Sequence, residues 1–317
     1  MAPADAEALF SAARRPLVLG IGGGGDVVGA LAIGEGCRLH HGADPVVGGV
    51  SWERRVVDPQ PGPRSEDEIE EARPLGPAML EAGAGTRVRG SGVRFAEARM
   101  AEFLGEPTVL VDVTRSPREI AQGVEAAAGG LGCDLVLFAD VGGDALGHGG
   151  EEGLASPLCD AVMLAAASLL EEAGAIPVLG AVFGPGCDGE LTPDEVLERV
   201  AEVAAAGGFA GARGLSPAVA DRVAGAVEAV PTEASAQALR CFRGERGEVT
   251  IRGGRRTVPL SPLGALTFYF EVAAALRSAA RLARAVREAG DLESANEVLH
   301  GLGLRTELDY ERDQAGR

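Results

Sequence analysis

Short apolar runs alternate along this chain with segments of helical period. Pro16–Ile21, Pro45–Val50, Thr108–Val113, Asp134–Asp140 and Ile176–Phe183 are of strand length with apolar interiors, the pattern of strands buried on both faces of a parallel sheet. Between them lie stretches with helical spacing: from Asp26 to His40 and His41, Ser116 to Ala128, Pro157 to Ala173, and Thr192 to Ala206. The last opens with Thr192-Pro193-Asp194-Glu195, an N-cap, an N1 proline and an N3 glutamate in order. This alternation predicts an α/β fold: a doubly wound, mostly parallel, Rossmann-like sheet.

Two stretches break the alternation. Asp58-Pro59-Gln60-Pro61-Gly62-Pro63-Arg64 has three prolines in five residues and cannot be regular structure, so it reads as a surface excursion before an acidic helix start at Ser65. Beyond residue 230 a helix opened by Pro231-Thr232-Glu233 precedes two β-like pieces, Glu248–Arg252 and Thr257–Leu260, around Gly253-Gly254. Helical segments at Phe270–Glu288 and Glu293–His300 follow. Residues 1–230 are therefore expected to form the core, and residues 231–317 a hairpin and helical extension packed on it.

The first strand runs into Gly22, Gly23, Gly24 and Gly25 and then the apolar helix headed by Asp26. Strand, glycines and helix together let backbone amides approach a ligand with no Cβ in the way, which makes the turn the expected binding floor. Gly20, Gly22 and Gly25 also satisfy G-x-G-x-x-G, but a run of glycines satisfies many patterns. Asp26 at the helix start is expected to cap the free amides itself and to repel a phosphate placed there.

In an open parallel sheet ligands bind beyond the carboxyl ends of the strands, at the point where strand order reverses. Those positions here are acidic and glycine-rich: Asp140-Val141-Gly142-Gly143-Asp144 after the fourth strand, and Cys187-Asp188-Gly189-Glu190 after the fifth. Convergence of so many carboxylates requires a cation, which points to a divalent metal, Mg²⁺ or Mn²⁺, on Asp140, Asp144, Asp188 and Glu190. Asp140, Asp144 and the loop histidine His148 are the expected acid/base groups. Trp52 can stack on a ring, while Arg54 and Arg64, with Arg115 beside the third strand, can grip a phosphate or carboxylate. Each acid taken singly is also an ordinary turn residue or cap.

Composition narrows the field. The chain has 317 residues, 46% of them hydrophobic, and a net charge of −18, which disfavours nucleic-acid backbones and anionic membranes and leaves small or basic partners. It contains no lysine, which excludes Schiff-base and pyridoxal chemistry, a lysine base and a Walker A lysine. A G-x-S-x-G elbow is absent too. Five scattered cysteines with no C-x-x-C pair read as buried thiols. An acidic start and no apolar run of about 20 residues suggest a cytoplasmic protein.

Gly20-Ile21-Gly22-Gly23-Gly24-Gly25-Asp26, Trp52-Glu53-Arg54, Asp58-Pro59 with Pro61-Gly62-Pro63-Arg64, Asp140-Val141-Gly142-Gly143-Asp144, Asp188-Gly189-Glu190-Leu191 and Thr306-Glu307-Leu308-Asp309-Tyr310-Glu311-Arg312 occur in that order. In this the chain resembles the DUF1152 family of archaeal and bacterial proteins over nearly its whole length. The resemblance implies a Rossmann-like fold and assigns no catalytic residue. A fainter similarity to glutamate cyclase-like proteins rests on a glycine-rich turn followed by an acidic residue and a glycine.

The expected function is a metal-assisted enzyme acting on a small phosphorylated or carboxylated metabolite at the glycine turn. Two alternatives stand beside it. One is a nicotinamide or flavin oxidoreductase with Glu53 on the ribose; the other is a non-catalytic nucleotide-binding sensor that oligomerises with copies of itself through its Ala-rich helices.

Overall fold

A computed structural model of the chain describes residues 4–316. The apolar runs become parallel strands β1 (Pro16–Gly20) and β2 (Val46–Val50). A hairpin follows, β3 (Ile69–Gly76) and β4 (Met79–Val88), and then β5 (Thr108–Val111), β6 (Leu135–Val141), β7 (Val178–Phe183) and β8 (Phe209–Gly214). The covering helices are α1 (Ala6–Ala12), α2 (Asp26–His41), α3 (Ala96–Leu104), α4 (Pro117–Leu131), α5 (Pro157–Ala173), α6 (Pro193–Ala205) and α7 (Pro217–Ala229). The remainder comprises α8 (Ala234–Phe242), β9 (Gly247–Ile251), β10 (Arg256–Leu260), β11 (Leu266–Phe270), α9 (Val272–Arg277), α10 (Arg281–Val286), α11 (Leu292–Gly301) and α12 (Glu307–Ala315).

Local chemistry sets the boundaries. Capping boxes at Ser116/Glu119 and Thr192/Glu195, each followed by an N1 proline, start α4 and α6. Gly42, Gly132 and Gly174 close α2, α4 and α5 in left-handed conformation.

The nine-stranded sheet runs β3-β4-β5-β2-β1-β6-β7-β11-β8. Its parallel centre, β5-β2-β1-β6-β7, has the Rossmann order third, second, first, fourth, fifth. Every residue of β1, β5, β6 and β7 is buried, as helices on both faces require. The order reverses between β1 and β6, so the carboxyl ends of those two strands mark the crevice.

Three features differ from expectation. Ser65 opens only a short 3₁₀ turn, Glu66–Glu68, after which the chain forms the antiparallel pair β3 and β4 on the sheet edge. β3, the edge strand, is largely uncovered, and β4 beside it alternates in burial over much of its length, a pattern blurred in the sequence by Gly83 and Gly85. The segment after residue 230 is not confined to the surface: the expected hairpin forms as β9 and β10, but β11 then enters the main sheet between β7 and β8, antiparallel to both. The helix read over Phe270–Glu288 is two short helices, because Phe270 ends β11 and Ser278–Ala280 interrupts. All five cysteines are free and buried. Among the described residues no helix is long and apolar enough to cross a membrane.

Candidate functional site

A cavity of about 1090 Å³ opens at the reversal point. Its floor is made by the residues that follow β1, β2, β6 and β7, and its other walls by the start of α5, the β9–β10 hairpin and α12. The acidic loops and the glycine turn thus share one chamber, large enough to enclose a small metabolite.

The glycine turn is braced by its own aspartate. Gly23 and Gly24 take positive φ (80° and 55°), and the Gly24 amide donates to Trp52 O at 2.8 Å, pinning the turn to the end of β2. Asp26 does not cap α2 as expected. Its Oδ2 accepts instead from the amides of Gly22 (3.0 Å) and Val141 (3.3 Å), clipping the turn to β6. The Thr232 side chain packs against Gly25, and Arg54 Cγ is 3.1 Å from a Cβ position on Gly24, so that end of the floor is side chain.

The carboxylates converge in two groups. Asp26, Asp140 and Asp160 each bring one oxygen within 4.8 Å of the others, as do Asp144, Asp188 and Glu190. Asp160 is 3% exposed and Asp188 5% exposed, yet Asp160 Oδ1 and both oxygens of Asp188 have no hydrogen-bond partner among the described residues. Two ionised carboxylates at such spacing repel by about 3 kcal/mol at an effective dielectric constant of about 20. Burial accordingly pushes Asp26 and Asp188 up to about 7, opposed at Asp26 by its two backbone hydrogen bonds. Burial followed by neighbouring carboxylates drives Asp140, Asp144 and Asp160 well above the ordinary range. The set must hold either protons or cations.

Glu190 is engaged already. Its Oε2 accepts from the amides of Ala155 (2.7 Å) and Ser156 (2.8 Å), and its Oε1 meets the Ser156 hydroxyl and Arg256. It ties the loop before α5 to the loop after β7, leaving Asp188 as the carboxylate of that group with no hydrogen-bond partner, while Asp144 lies within hydrogen-bonding reach of Asp140. Free hard-oxygen donors from separate, rigidly held loops fit Mg²⁺ or Mn²⁺.

Of the arginines expected on the cationic wall, only Arg54 lines the cavity. Arg64 lies outside the cavity: its Nε donates to Asp58 at 2.8 Å and its Nη2 to Gln60 O at 2.5 Å, so it locks the proline loop. Arg115 pairs with Glu66 and Asp112 and is also outside. Arg54 does line the cavity and bonds Glu233 at 2.9 Å. The hairpin adds Arg252 and Arg256. Arg252 is pulled down to about 10 by burial and by Arg54 and Arg256 beside it, and its Nε has no hydrogen-bond partner. Arg256 is 2.7 Å from Glu190 Oε1 and donates to Asp188 O at 3.3 Å.

Three other expected residues are occupied. His148 is outside the cavity lining, with Nε2 2.8 Å from Glu202 Oε2 and 3.1 Å from Arg199. Trp52 lines the cavity but is 4% exposed, its Nε1–H donating to Glu311 at 3.2 Å. Glu53, the acid expected to meet a ribose, accepts from the Ala96 amide.

Sequence reasoning missed Asp160, Arg252, Arg256 and Glu307. Asp160 lies in the first turn of α5, where Ser156-Pro157 announces a helix start and an acid passes for a dipole partner. Glu307 reaches from α12 to accept from the amides of Leu158 (3.1 Å) and Cys159 (2.8 Å), capping α5 from outside. Its signal was the closing Thr306-Glu307 motif, distant in sequence from every other part of the site.

A search of curated proteins finds no match, and a search of solved structures finds none. A family model described as a protein of unknown function, DUF1152, matches residues 17–315. The match spans the glycine turn, both acidic loops, the hairpin and α12, and the chain belongs to the DUF1152 family.

Proposed function

We propose that the protein is a metal-assisted enzyme acting on a small anionic metabolite, with a divalent cation held by Asp140, Asp144 and Asp188. The observation that carries this reading is Asp188. Its carboxylate is buried in a cavity wall with no side-chain or backbone donor within hydrogen-bond geometry of either oxygen, and burial and Glu190 hold it raised to about 7 even with Arg256 and Arg252 opposing them, a deficit of positive charge that a divalent cation would fill.

When bound, Mg²⁺ or Mn²⁺ supplies a Lewis acid that polarises an oxygen of the substrate. The chain's own residues do the rest. Glu190 and Arg256 hold the loop that carries Asp188. Arg252 on the hairpin, whose Nε is 3.8 Å from Glu233 Oε2 without a hydrogen bond to it, and Arg54 after β2 receive the substrate's negative charge. Asp140, oriented by the Ala145 amide at 3.2 Å, is the acid/base candidate that also touches the cation group. The engagement of Glu53 by Ala96 counts against the dinucleotide alternative, which needs that carboxylate free.

Calorimetric titration with Mn²⁺ tests the reading, followed by inorganic phosphate on the metal-loaded protein. Wild type should bind both, Asp188→Asn should lose Mn²⁺, and Arg252→Gln should keep Mn²⁺ but lose phosphate. A wild type that takes up neither overturns it.

A further inference from the structure

We infer that Asp26, Asp140 and Asp160 form a second divalent-cation position beside the first, so that the floor of the cavity is a two-cation centre. The inference rests on the metal reading above and adds a second ion, its ligands and a narrower substrate class.

The three residues come from the head of α2, the end of β6 and the first turn of α5, elements that meet only at the reversal point of the sheet. Each is oriented with an oxygen to spare. Asp26 uses Oδ2 for the amides of Gly22 and Val141, and Asp140 uses Oδ2 for Ala145. Outer hydrogen bonds of this kind aim metal ligands. Asp160 supplies the independent sign of a ligand: a 3% exposed carboxylate in the cavity wall whose Oδ1 has no donor. Arg54 pairs with Glu233 and Arg256 with Glu190, and Arg252, the one cavity arginine whose charge acts on Asp26, leaves that carboxyl raised to about 7. Space is set aside as well, because a Cβ on Gly22 would lie 3.2 Å from both Asp160 oxygens and 2.7 Å from Asp26 Oδ2.

Asp140 joins the two groups. It belongs to the first by distance and is within hydrogen-bonding reach of Asp144 in the second, the place a bridging carboxylate takes in two-metal sites, where the ions lie roughly 4 Å apart. Two cations under a wall of arginines suit a phosphate group, which offers oxygens to both ions and still presents one to Arg252. A carboxylate has too few oxygens to do so. The narrowed class is a phosphorylated small molecule.

Mn²⁺ loading of the full chain, read as bound ions per chain and as the electron paramagnetic resonance spectrum, tests this without any assay of turnover. Wild type should bind two Mn²⁺ and give the broadened spectrum of a coupled pair, while Asp160→Asn should bind one and give a six-line isolated-ion spectrum. A wild type that binds one Mn²⁺ with an isolated-ion spectrum overturns the second position and leaves the single-metal reading standing. A pair that survives Asp160→Asn also overturns it. A wild type that binds none removes both readings. The wild-type count decides the matter even if the variant fails to fold.

Discussion

Asp160 and Gly22 face each other across the crevice, with both carboxylate oxygens of Asp160 3.2 Å from the point where a Cβ on Gly22 would stand. The glycine is thereby a requirement of the acid group as much as of the turn. Gly22→Ala should displace Asp160 and the Asp26 clip, lowering Mn²⁺ affinity by roughly 10–100-fold, the usual effect of disturbing the support of a metal ligand. Calorimetry on the variant checks this; unchanged affinity would show that the two carboxylates are not held against the turn for binding.

Asp188→Asn separates function from stability. Removing one member of a buried like-charge group relieves repulsion of about 1–3 kcal/mol, so the metal-free variant should melt at or above the wild-type temperature. It should also lose the rise that Mn²⁺ gives wild type, roughly 4 °C at a hundredfold excess over Kd for a chain of this size. Differential scanning calorimetry with and without Mn²⁺ reads both effects. A variant that melts well below wild type would mark Asp188 as a structural group.

The pH dependence has a defined sign. Asp26 and Asp188 are raised from 3.8 to about 7 by burial, so the folded metal-free protein keeps protons that the unfolded chain releases. Their contribution is fully present below pH 3.8 and is lost as pH rises through about 7. The metal-free melting temperature should therefore fall between about pH 4 and 7, while stabilisation by Mn²⁺ grows over the same interval because the cation needs the ionised forms. Melting curves across that interval with no such divergence would contradict the charge state assigned to the cavity.

Glu307→Gln probes the reach of α12. The carboxylate accepts from two amides of α5, Leu158 and Cys159, and an amide side chain offers a single oxygen to them. A loss of about 1 kcal/mol is expected, the common value of a helix cap. Mn²⁺ affinity should weaken as well, because the first turn of α5 carries Asp160. Denaturant unfolding and Mn²⁺ titration of the variant check the two effects; full affinity with lowered stability would confine Glu307 to capping.

The parallel centre of the fold was legible because buried strands write themselves as uninterrupted apolar runs, and the capping boxes at Ser116 and Thr192 announced their helices. The glycine turn and the acids Asp140, Asp144 and Asp188 were legible from strand-end position alone, and the structure gathers them around one cavity. β11 was not legible, because an antiparallel strand inserted between β7 and β8 obeys no local period that sets it apart from a helix start. Arg64 was misplaced for a related reason. An arginine after a proline loop looks free in sequence, but its partner Asp58 lies six residues back and satisfies it within the loop. Arg252 and Arg256 are brought in by a hairpin whose docking depends on tertiary contacts.

Location of the ion tests the central claim most directly. Crystals grown with Mn²⁺ should give an anomalous difference peak enclosed by Asp140, Asp144 and Asp188. Full Mn²⁺ saturation in solution with anomalous density only at the molecular surface, and none within that cavity, would contradict the account.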